Sequence, residues 1–376
     1  MNNVRPAFMC AFALLLLSCT SLFAQPGQHS ACTPQFPFVQ QWQGGDVASS
    51  IPLPDGRVVW IFGDTLTGNE RVVVGDEPRM VRNSIGVSTC KAGKWNIDYA
   101  IRRGAKDGEL LDFFQARKPD TWYWAIDGVY YNDELWVAML CTRATKTGPQ
   151  AALGFEFCGT DIARVSNLGA DPQQWKLEYH ELVPDGTRSY PSAATVIDGN
   201  HLYIFSLNEF GDRPQTLTRI PLSGLKAPKA NLEYFAAEGK WKKGFDPKSA
   251  KVVMSKGASE LSVRYHPELK KWVALMVDPI LFSDKVLVKT ANSLTGPWTD
   301  GQEIYRVPVM QKGAEGYDPD TFCYAGKEHP AFERPGRLVF TYVCNSMKPQ
   351  KLLKLLNIYF PQVVEMEMPI KAAPEK

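Results

Sequence analysis

The sequence lacks the marks of several large protein classes. Its charges nearly balance, with 42 Lys and Arg against 40 Asp and Glu, and it has no basic run, which excludes a typical nucleic-acid-binding protein. It has no CxxC motif and its five histidines are scattered, so a zinc site is not indicated. Beyond residue 17 there is no long apolar run, so no membrane span is expected. Long helical periodicity is also missing, which argues against an α-helical protein.

The one long apolar run lies near the N terminus. It covers residues 7–17 and is shorter than the roughly 20 residues that a bilayer span needs. We therefore predict that residues 1–24 are a signal peptide and that residues 25–376 form one exported domain, periplasmic or secreted. Cleavage after Ala24 is favoured. The alternative is a lipoprotein, because the four residues that end at Cys19 resemble a lipobox.

Six cysteines remain beyond the signal peptide. An even number of cysteines in an oxidising compartment favours disulfides over a metal site. Sequence alone allows many pairings. We expect each cysteine to join its neighbour in the sequence, because such pairs would staple neighbouring strands of one sheet. The expected pairs are Cys32 with Cys90, Cys141 with Cys158, and Cys323 with Cys344.

Residues 44–65 are predicted to form two short strands around a tight turn. Alternating apolar residues flank Pro54-Asp55-Gly56, whose backbone preferences suit a reversal. In an antiparallel pair, the start of the first strand and the end of the second lie at the same edge, so Asp46 and Asp64 are expected to be neighbours. Two carboxylates at one rim, one ionised and one protonated, are what hydrolysis of a glycosidic bond requires. The structural alternatives are a turn cap for Asp46 and an Asx turn for Asp64.

A turn followed by an apolar strand recurs about every seventy residues along the chain. Each repeat carries about four short strands with alternating apolar residues. Repeated four-stranded sheets of this kind close into a ring, so we predict an all-β fold, a five-bladed β-propeller of four-stranded antiparallel blades. A sandwich or a solenoid explains the spacing less well. The recurring strands are centred on Trp60, Trp136, Tyr203, Trp272 and Val339.

Propeller geometry turns the repeat into a prediction of the site. The starts of the innermost strands and the ends of the second strands would converge around a central funnel, where a pocket with several polar groups is easily built. A buried carboxylate costs several kcal/mol unless it is paired, so acids at such positions need partners or a function. Besides Asp46 and Asp64, this placement assigns to substrate binding Trp124, Asp127, Arg143, Tyr190, Glu209, Glu260 and His329.

Several of these residues also have a structural interpretation. Asp127 could form part of an Asp-Gly turn, and Glu209 could be a loop acid. Glu260 could be the structural partner of an arginine, and His329 could be a satisfied core histidine. Trp124 could pack between blades instead of forming the floor of a sugar subsite.

The hairpin also resembles the opening signature of a bacterial family of five-bladed propellers whose studied members are endo-D-arabinofuranases. The resemblance is carried by Gly44-Gly45-Asp46, by residues 50–57 and by residues 60–65. Residues 293–298 are similar to glycosidase-type propellers such as arabinanases and xylosidases. The resemblance implies cleavage of D-arabinan by two acidic residues at the funnel mouth, and the matching positions here are Asp46 and Asp64.

These observations lead to one leading hypothesis and two rivals. The leading one is an exported glycoside hydrolase that cleaves a furanosidic, arabinan-like polysaccharide, with Asp46 and Asp64 as the catalytic pair and Arg143 keeping one acid ionised. The rivals are a non-catalytic carbohydrate-binding propeller and a surface lipoprotein scaffold. A monomer without a cofactor is expected. The many oxygen ligands leave room for a divalent cation in the central channel, although no EF-hand-like spacing points to one.

Overall fold

A computed structural model of the chain describes residues 32–74, 77–106, 108–147, 154–209 and 212–370. The predicted signal peptide and the alternative lipidation site at Cys19 lie outside the described residues. β-strands account for most of the regular structure, which confirms the all-β prediction. Among the described residues, no helix is long and apolar enough to span a lipid bilayer.

The strands follow one another in short meanders along the whole chain. The first group comprises β1 (Trp42–Gly45), β2 (Ser49–Pro52), β3 (Val58–Phe62), β4 (Thr65–Thr67), β5 (Val73–Val74), β6 (Glu77–Pro78), β7 (Met80–Val81), β8 (Ser84–Lys91), β9 (Lys94–Ala100), β10 (Arg102–Arg103) and β11 (Leu110–Leu111). The second group comprises β12 (Thr121–Tyr131), β13 (Glu134–Ala144), β14 (Phe155–Ser166) and β15 (Lys176–Val183). The third comprises β16 (Ser189–Asp198), β17 (His201–Asn208), β18 (Thr216–Pro221), β19 (Glu233–Phe235) and β20 (Trp241–Lys243).

The last two groups complete the list. They are β21 (Ser262–His266), β22 (Lys271–Val277), β23 (Lys285–Ala291) and β24 (Gln302–Arg306), followed by β25 (Thr321–Glu328), β26 (Arg337–Ser346) and β27 (Gln362–Glu367). A four-residue helix, α1 (Pro228–Asn231), precedes β19. In the described part of the chain, 3-10 turns cover Pro172–Gln174, Leu222–Gly224, Pro308–Met310, Pro330–Phe332 and Pro349–Leu353.

Antiparallel pairing joins these strands into five main sheets in chain order. Their strand orders are β2-β3-β8-β9, β12-β13-β14-β15, β16-β17-β18-β19-β20, β21-β22-β23-β24 and β25-β26-β27. Each of the five recurring apolar segments lies in the second strand of a separate sheet, namely β3, β13, β17, β22 or β26. The predicted repeat is therefore the second strand of each sheet together with its preceding turn. Smaller ladders, β1-β4-β7, β5-β6 and β10-β11, decorate the first sheet.

Apolar side chains fill the spaces between successive sheets. One cluster joins Ile51 of the first sheet to Val137 of the second, and another joins Trp136 to Leu202 of the third. Further clusters join the third sheet to the fourth and the fourth to the fifth. A last cluster packs Trp60 of the first sheet against Val339 of the fifth. Each sheet thus shares apolar packing with two others.

The three predicted disulfides are confirmed. Cys141–Cys158 joins β13 to β14, and Cys323–Cys344 joins β25 to β26, so these two bonds staple neighbouring strands as expected. Cys32–Cys90 differs in detail, because Cys32 precedes β1 and ties the incoming chain to β8.

Candidate active site

The two candidate aspartates stand opposite each other on the first hairpin. The pair Gly45 with Thr65 before them and the pair Ser49 with Ile61 after them follow one antiparallel register, which places Asp46 opposite Asp64. The backbone N–H of Asp46 donates to the carbonyl oxygen of Asp64 at 3.3 Å. At the far end of the hairpin, the N–H of Gly56 donates to the Leu53 carbonyl at 3.1 Å and closes the predicted turn. The prediction that Asp46 and Asp64 are neighbours is confirmed.

The backbone after Asp46 is strained. Val47 and Ala48 both adopt the left-handed conformation, with φ of 65° and 55°. This region is disfavoured for a β-branched residue such as valine, and such strain persists only where surrounding structure compensates it. Val47 is buried in an apolar cluster with Ile126, Leu140 and other side chains, which supplies that compensation. The distortion interrupts the regular ladder at Asp46.

Asp46 lies among groups that favour its protonated form. Burial raises the pKa of Asp46 well above its usual value, and the nearby carboxylates of Asp64 and Glu260 raise it further. The Tyr324 hydroxyl donates to Asp46 Oδ2 at 2.7 Å and opposes this shift. Gly63 lies directly below the other oxygen, since a Cβ at that position would stand 2.3 Å from Asp46 Oδ1.

Asp64 lies among hydrogen-bond donors instead. The indole Nε1 of Trp124 donates to Asp64 Oδ1 at 2.8 Å, and Arg82 Nη1 lies 3.4 Å from Asp64 Oδ2. The Tyr359 hydroxyl donates to the backbone carbonyl of Asp64 at 3.3 Å. Donors and a guanidinium favour an ionised carboxylate. The two acids therefore differ in their hydrogen-bond partners, and Asp64 also faces the carboxyl groups of Asp46 and Asp112.

Glu260 forms the third acid of the cluster. It lies in a bend just before β21 rather than inside a strand. Burial raises the pKa of Glu260, whereas the Ser259 hydroxyl at 2.6 Å and the charge of Lys327 lower it. Lys327 is itself buried and donates to the Leu261 carbonyl at 2.9 Å. A buried cation thus lies close to the acidic cluster.

Aromatic rings extend from the acids across the second and third sheets. Trp124 lies edge-on to Phe155, with ring centroids 4.7 Å apart, and Phe155 lies 5.6 Å from Phe157. Phe157 in turn contacts Tyr190 at 5.4 Å, and the Tyr190 hydroxyl lies 3.3 Å from Glu209 Oε2. Predicted residues Trp124, Tyr190 and Glu209 are thereby joined by one row of rings.

Asp127 is placed away from this row, inside the protein. It is only 1% exposed, and its two oxygens accept hydrogen bonds from the Ser49 hydroxyl and from the Thr195 N–H at 2.7 Å. Lys327 Nζ lies 3.9 Å from Asp127 Oδ1. This placement differs from the predicted contact with substrate, because Asp127 uses its carboxylate to join the first three sheets.

His329 is likewise buried. Its ring nitrogens lie 2.8 Å from the Ser50 hydroxyl and 2.9 Å from the Thr341 hydroxyl. Burial, aided by the charges of Arg264 and Lys327, lowers the pKa of His329 to about 3, so the ring is neutral at ordinary pH. The structure therefore favours the core-histidine interpretation over contact with substrate.

Arg143 lies at the rim of the second sheet. Its guanidinium pairs with Glu156 at 2.6 Å and with Asp185 at 2.7 Å. The expected pairing of Arg143 with a catalytic acid is not what the structure shows. Arg82, which the sequence analysis missed, occupies that place beside Asp64.

Tyr324 and Tyr359 were missed as well. Tyr324 stands near the start of β25, which is where a propeller places the funnel residues of its fifth sheet. Its position at a strand start could therefore have identified it. The prediction instead chose polar residues at the opposite end of β25, including His329, which directly follows that strand.

Among the described residues, no group of three or more His, Cys, Asp or Glu side chains is arranged to hold a metal ion.

The chain is similar to known proteins over most of its length. A family model described as Domain of unknown function (DUF5005) matches residues 34–363. A candidate hydrolase from Bacteroides ovatus ATCC 8483 has a similar structure, with a TM-score of 0.65 and 19% identity over 86% of this chain and 85% of that one, which shows a shared fold. The GH43_1 enzyme from Xanthomonas citri is also similar, with a TM-score of 0.47 and 11% identity over 88% and 89% of the two chains. No curated protein sequence matches.

Proposed function

Because this chain belongs to the family described as a domain of unknown function (DUF5005), whose name states no activity, we infer its function from the site and propose that it is a glycoside hydrolase. The observation that carries the proposal is the opposed pair of Asp46 and Asp64 in contrasting environments. Hydrolysis of a glycosidic bond needs one carboxyl group that holds a proton and one that is ionised.

We propose a role for each acid from its environment. Asp46, whose pKa is raised, donates its proton to the glycosidic oxygen as the bond to the anomeric carbon breaks. Asp64, held by Trp124 and Arg82, stays ionised and either attacks the anomeric carbon or takes a proton from the attacking water. Glu260 adds negative charge near Asp46 and helps to keep it protonated. This chemistry requires no cofactor.

The row of aromatic rings supports a sugar substrate. Trp124 contacts Asp64, and the partly exposed rings of Trp124, Phe155 and Phe157 suit stacking against sugar faces. We propose a furanosidic, arabinan-like polysaccharide, on the resemblance of the residues 44–65 hairpin to endo-D-arabinofuranases. Tyr190 and Glu209 would bind sugar hydroxyls at the far end of the row.

We also propose that the five sheets are the blades of a closed five-bladed propeller. Supporting this, apolar clusters join each sheet to the next, and the last sheet to the first. Residues near the starts of β12 and β25 meet the first hairpin at the acids, as a central funnel requires. Export of a monomeric mature domain remains our proposal, and the three disulfides favour an oxidising compartment.

The experiment that tests the function is a hydrolysis screen of the mature protein over arabinan, arabinogalactan, lipoarabinomannan and xylan. Asp46→Asn and Asp64→Asn are compared with Asp55→Asn, a control at the exposed turn of the same hairpin. We expect products from the wild type and from the control, and loss of product from both site variants. Retained glycan binding without any product from the wild type would favour a non-catalytic carbohydrate-binding protein and would end the hydrolase proposal.

A further inference from the structure

A chain of hydrogen bonds ends on Asp46. The backbone N–H of Ser346 donates to Asn345 Oδ1 at 2.7 Å, so the amide oxygen of Asn345 faces its own backbone. The Asn345 amide nitrogen therefore points the other way and donates to the Tyr324 hydroxyl oxygen at 3.3 Å. Because that oxygen accepts from Asn345, the Tyr324 proton is directed to Asp46 Oδ2, at 2.7 Å.

Tyr324 and Asn345, the residues of this hydrogen-bond chain, are held on a rigid part of the fold. Tyr324 lies on β25 and Asn345 on β26, and the two strands are joined between them by the Cys323–Cys344 disulfide. Tyr324 also stacks on Phe322, with ring centroids 5.6 Å apart. The hydroxyl that reaches Asp46 is thus positioned by a cross-linked hairpin of a different sheet.

We propose that Tyr324 and Asn345 are positioning residues that occupy Oδ2 of Asp46 and place the proton to be donated on Oδ1, the oxygen over Gly63. The carbonyl oxygen of a protonated carboxyl group is a better acceptor than its hydroxyl oxygen, so a donor held at Oδ2 favours the proton on Oδ1. This inference rests on the proposed function. During bond cleavage the proton leaves Oδ1 for the glycosidic oxygen, and the carboxylate that remains strengthens its bond from Tyr324, since charged acceptors bind donors more strongly.

The surroundings of Asp46 make the role of Tyr324 measurable. The titratable groups that act on Asp46 are Asp64, Glu260, Tyr324 and Tyr359. Arg82 and Asp112 lie next to Asp64, and Lys327 and Arg213 lie next to Glu260. The two carboxylates and burial raise the pKa of Asp46, and the Tyr324 hydrogen bond lowers it. Removal of the hydroxyl leaves the raising influences less opposed, so the pKa of Asp46 rises further.

The test compares Tyr324→Phe with Tyr130→Phe. Tyr130 also donates to an aspartate, Asp133 at 2.6 Å, but does so on an exposed turn of the second sheet. For Tyr324→Phe we expect kcat to fall about 10- to 100-fold with KM within about twofold, because a charge-assisted bond is lost as the carboxylate forms. The alkaline limb of the kcat profile should also move to higher pH. Asn345→Leu should also lower kcat and move the alkaline limb to higher pH, each by less than Tyr324→Phe does.

A lower kcat combined with an alkaline limb at higher pH is not expected from a general packing defect, and Tyr130→Phe should show neither. An active wild type whose kcat and pH profile survive Tyr324→Phe unchanged would overturn the inference and leave the hydrolase proposal standing. If the wild type cleaves no glycan, the hydrolase proposal fails by itself. A carbon-13 NMR titration of the Asp46 carboxyl in wild type and Tyr324→Phe then decides the inference, and equal pKa values would overturn it.

Discussion

At the scale of single residues, the site depends on the different surroundings of two aspartates that face each other. Asp46 has burial and neighbouring acids on one side and a single Tyr324 hydroxyl on the other. Asp64 accepts from Trp124 and lies beside Arg82. A carboxyl pair supplies both an acid and a base when its two members lie in different surroundings.

Gly63 offers a sharp test of how closely Asp46 must be placed. Its φ is not in the left-handed region, so alanine is conformationally acceptable, but the new methyl group would stand 2.3 Å from Asp46 Oδ1. The flexible carboxyl would move, and we expect Gly63→Ala to fold while its kcat/KM falls about 100-fold, the usual cost of a displacement of about 1 Å. Gly169→Ala, where no atom lies within 4 Å of the added methyl, is the matched control. Full activity of Gly63→Ala would contradict the placement.

The residue scale also shows how far the sequence could lead. The adjacency of Asp46 and Asp64 was predictable, because a short hairpin with a Pro-Asp-Gly turn determines it locally. Arg82 and Tyr324 were not predicted. Arg82 follows the short strand β7 in an irregular stretch, and Tyr324 reaches Asp46 across 278 positions of sequence.

At the scale of elements, the first strands of several sheets carry irregularities that conceal which residues face the site. The ladder register shifts in β12 between Ala125 and Asp127, and in β25 between Tyr324 and Lys327. A bulge breaks the alternation of side chains, so residues beyond it no longer follow the pattern of those before it. Asp127 was assigned to the funnel as a strand start, but it lies in the middle of β12, beside this bulge, and joins sheets in the interior.

A half-buried acid, Glu333, and a buried histidine, His266, predict how stability depends on pH. Burial, followed by the charge of Glu328, raises the pKa of Glu333 to about 8. Burial lowers the pKa of His266, but Glu328 at 2.8 Å and Glu268 at 3.0 Å outweigh it and raise this pKa to about 10. In both cases the folded state holds a proton more tightly than the unfolded chain does.

The sign of the effect follows from proton linkage. The contribution of Glu333 is complete below about pH 4.5 and is lost as pH rises to about 8, and that of His266 is complete below about pH 6.5 and is lost by about pH 10. Between its unfolded and folded pKa values, each group lowers the free energy of unfolding by at most about 1.4 kcal/mol per pH unit. We expect the melting temperature to fall from pH 6.5 to pH 9, and to fall less steeply in Glu333→Gln. A melting temperature that is constant or rises over this range would contradict the assignment.

At the scale of the whole molecule, the question is how the first and last sheets are joined. Trp60 packs against Phe332 with ring centroids 5.6 Å apart, and both belong to the cluster that also holds Val339. The repeat spacing in the sequence predicted the five second strands, because each repeat forms its own sheet. The individual side-chain contacts between the first and last sheets could not be predicted, because they join residues that lie far apart in the sequence.

Arg71 forms a separate junction, between β1 and the segment that joins β26 to β27. Its buried guanidinium donates to the backbone carbonyls of Gln43, Leu352, Leu355 and Ile358 at 2.9 to 3.0 Å, and burial lowers its pKa to about 10. Arg71→Met leaves these carbonyls without that donor, so we expect the free energy of unfolding in urea to fall by about 3 kcal/mol.

The control for this prediction is Arg57→Met, which removes an arginine paired with Asp55 at the hairpin turn. A loss below about 1 kcal/mol is expected there, as is usual for a surface pair. Equal losses in the two variants would show that the Arg71 contacts do not stabilise the junction between β1 and the segment that joins β26 to β27.

The most direct measurement of the central claim, that Asp46 donates the proton and Asp64 carries the charge, compares aryl glycosides of the accepted sugar with poor and good leaving groups. A good leaving group departs without protonation, so Asp46→Asn should recover most of its lost kcat/KM on a dinitrophenyl glycoside, whereas Asp64→Asn should stay inactive on both substrates. Recovery by Asp64→Asn instead would reverse the two roles. Equal loss by both variants on both substrates would contradict the division of roles altogether.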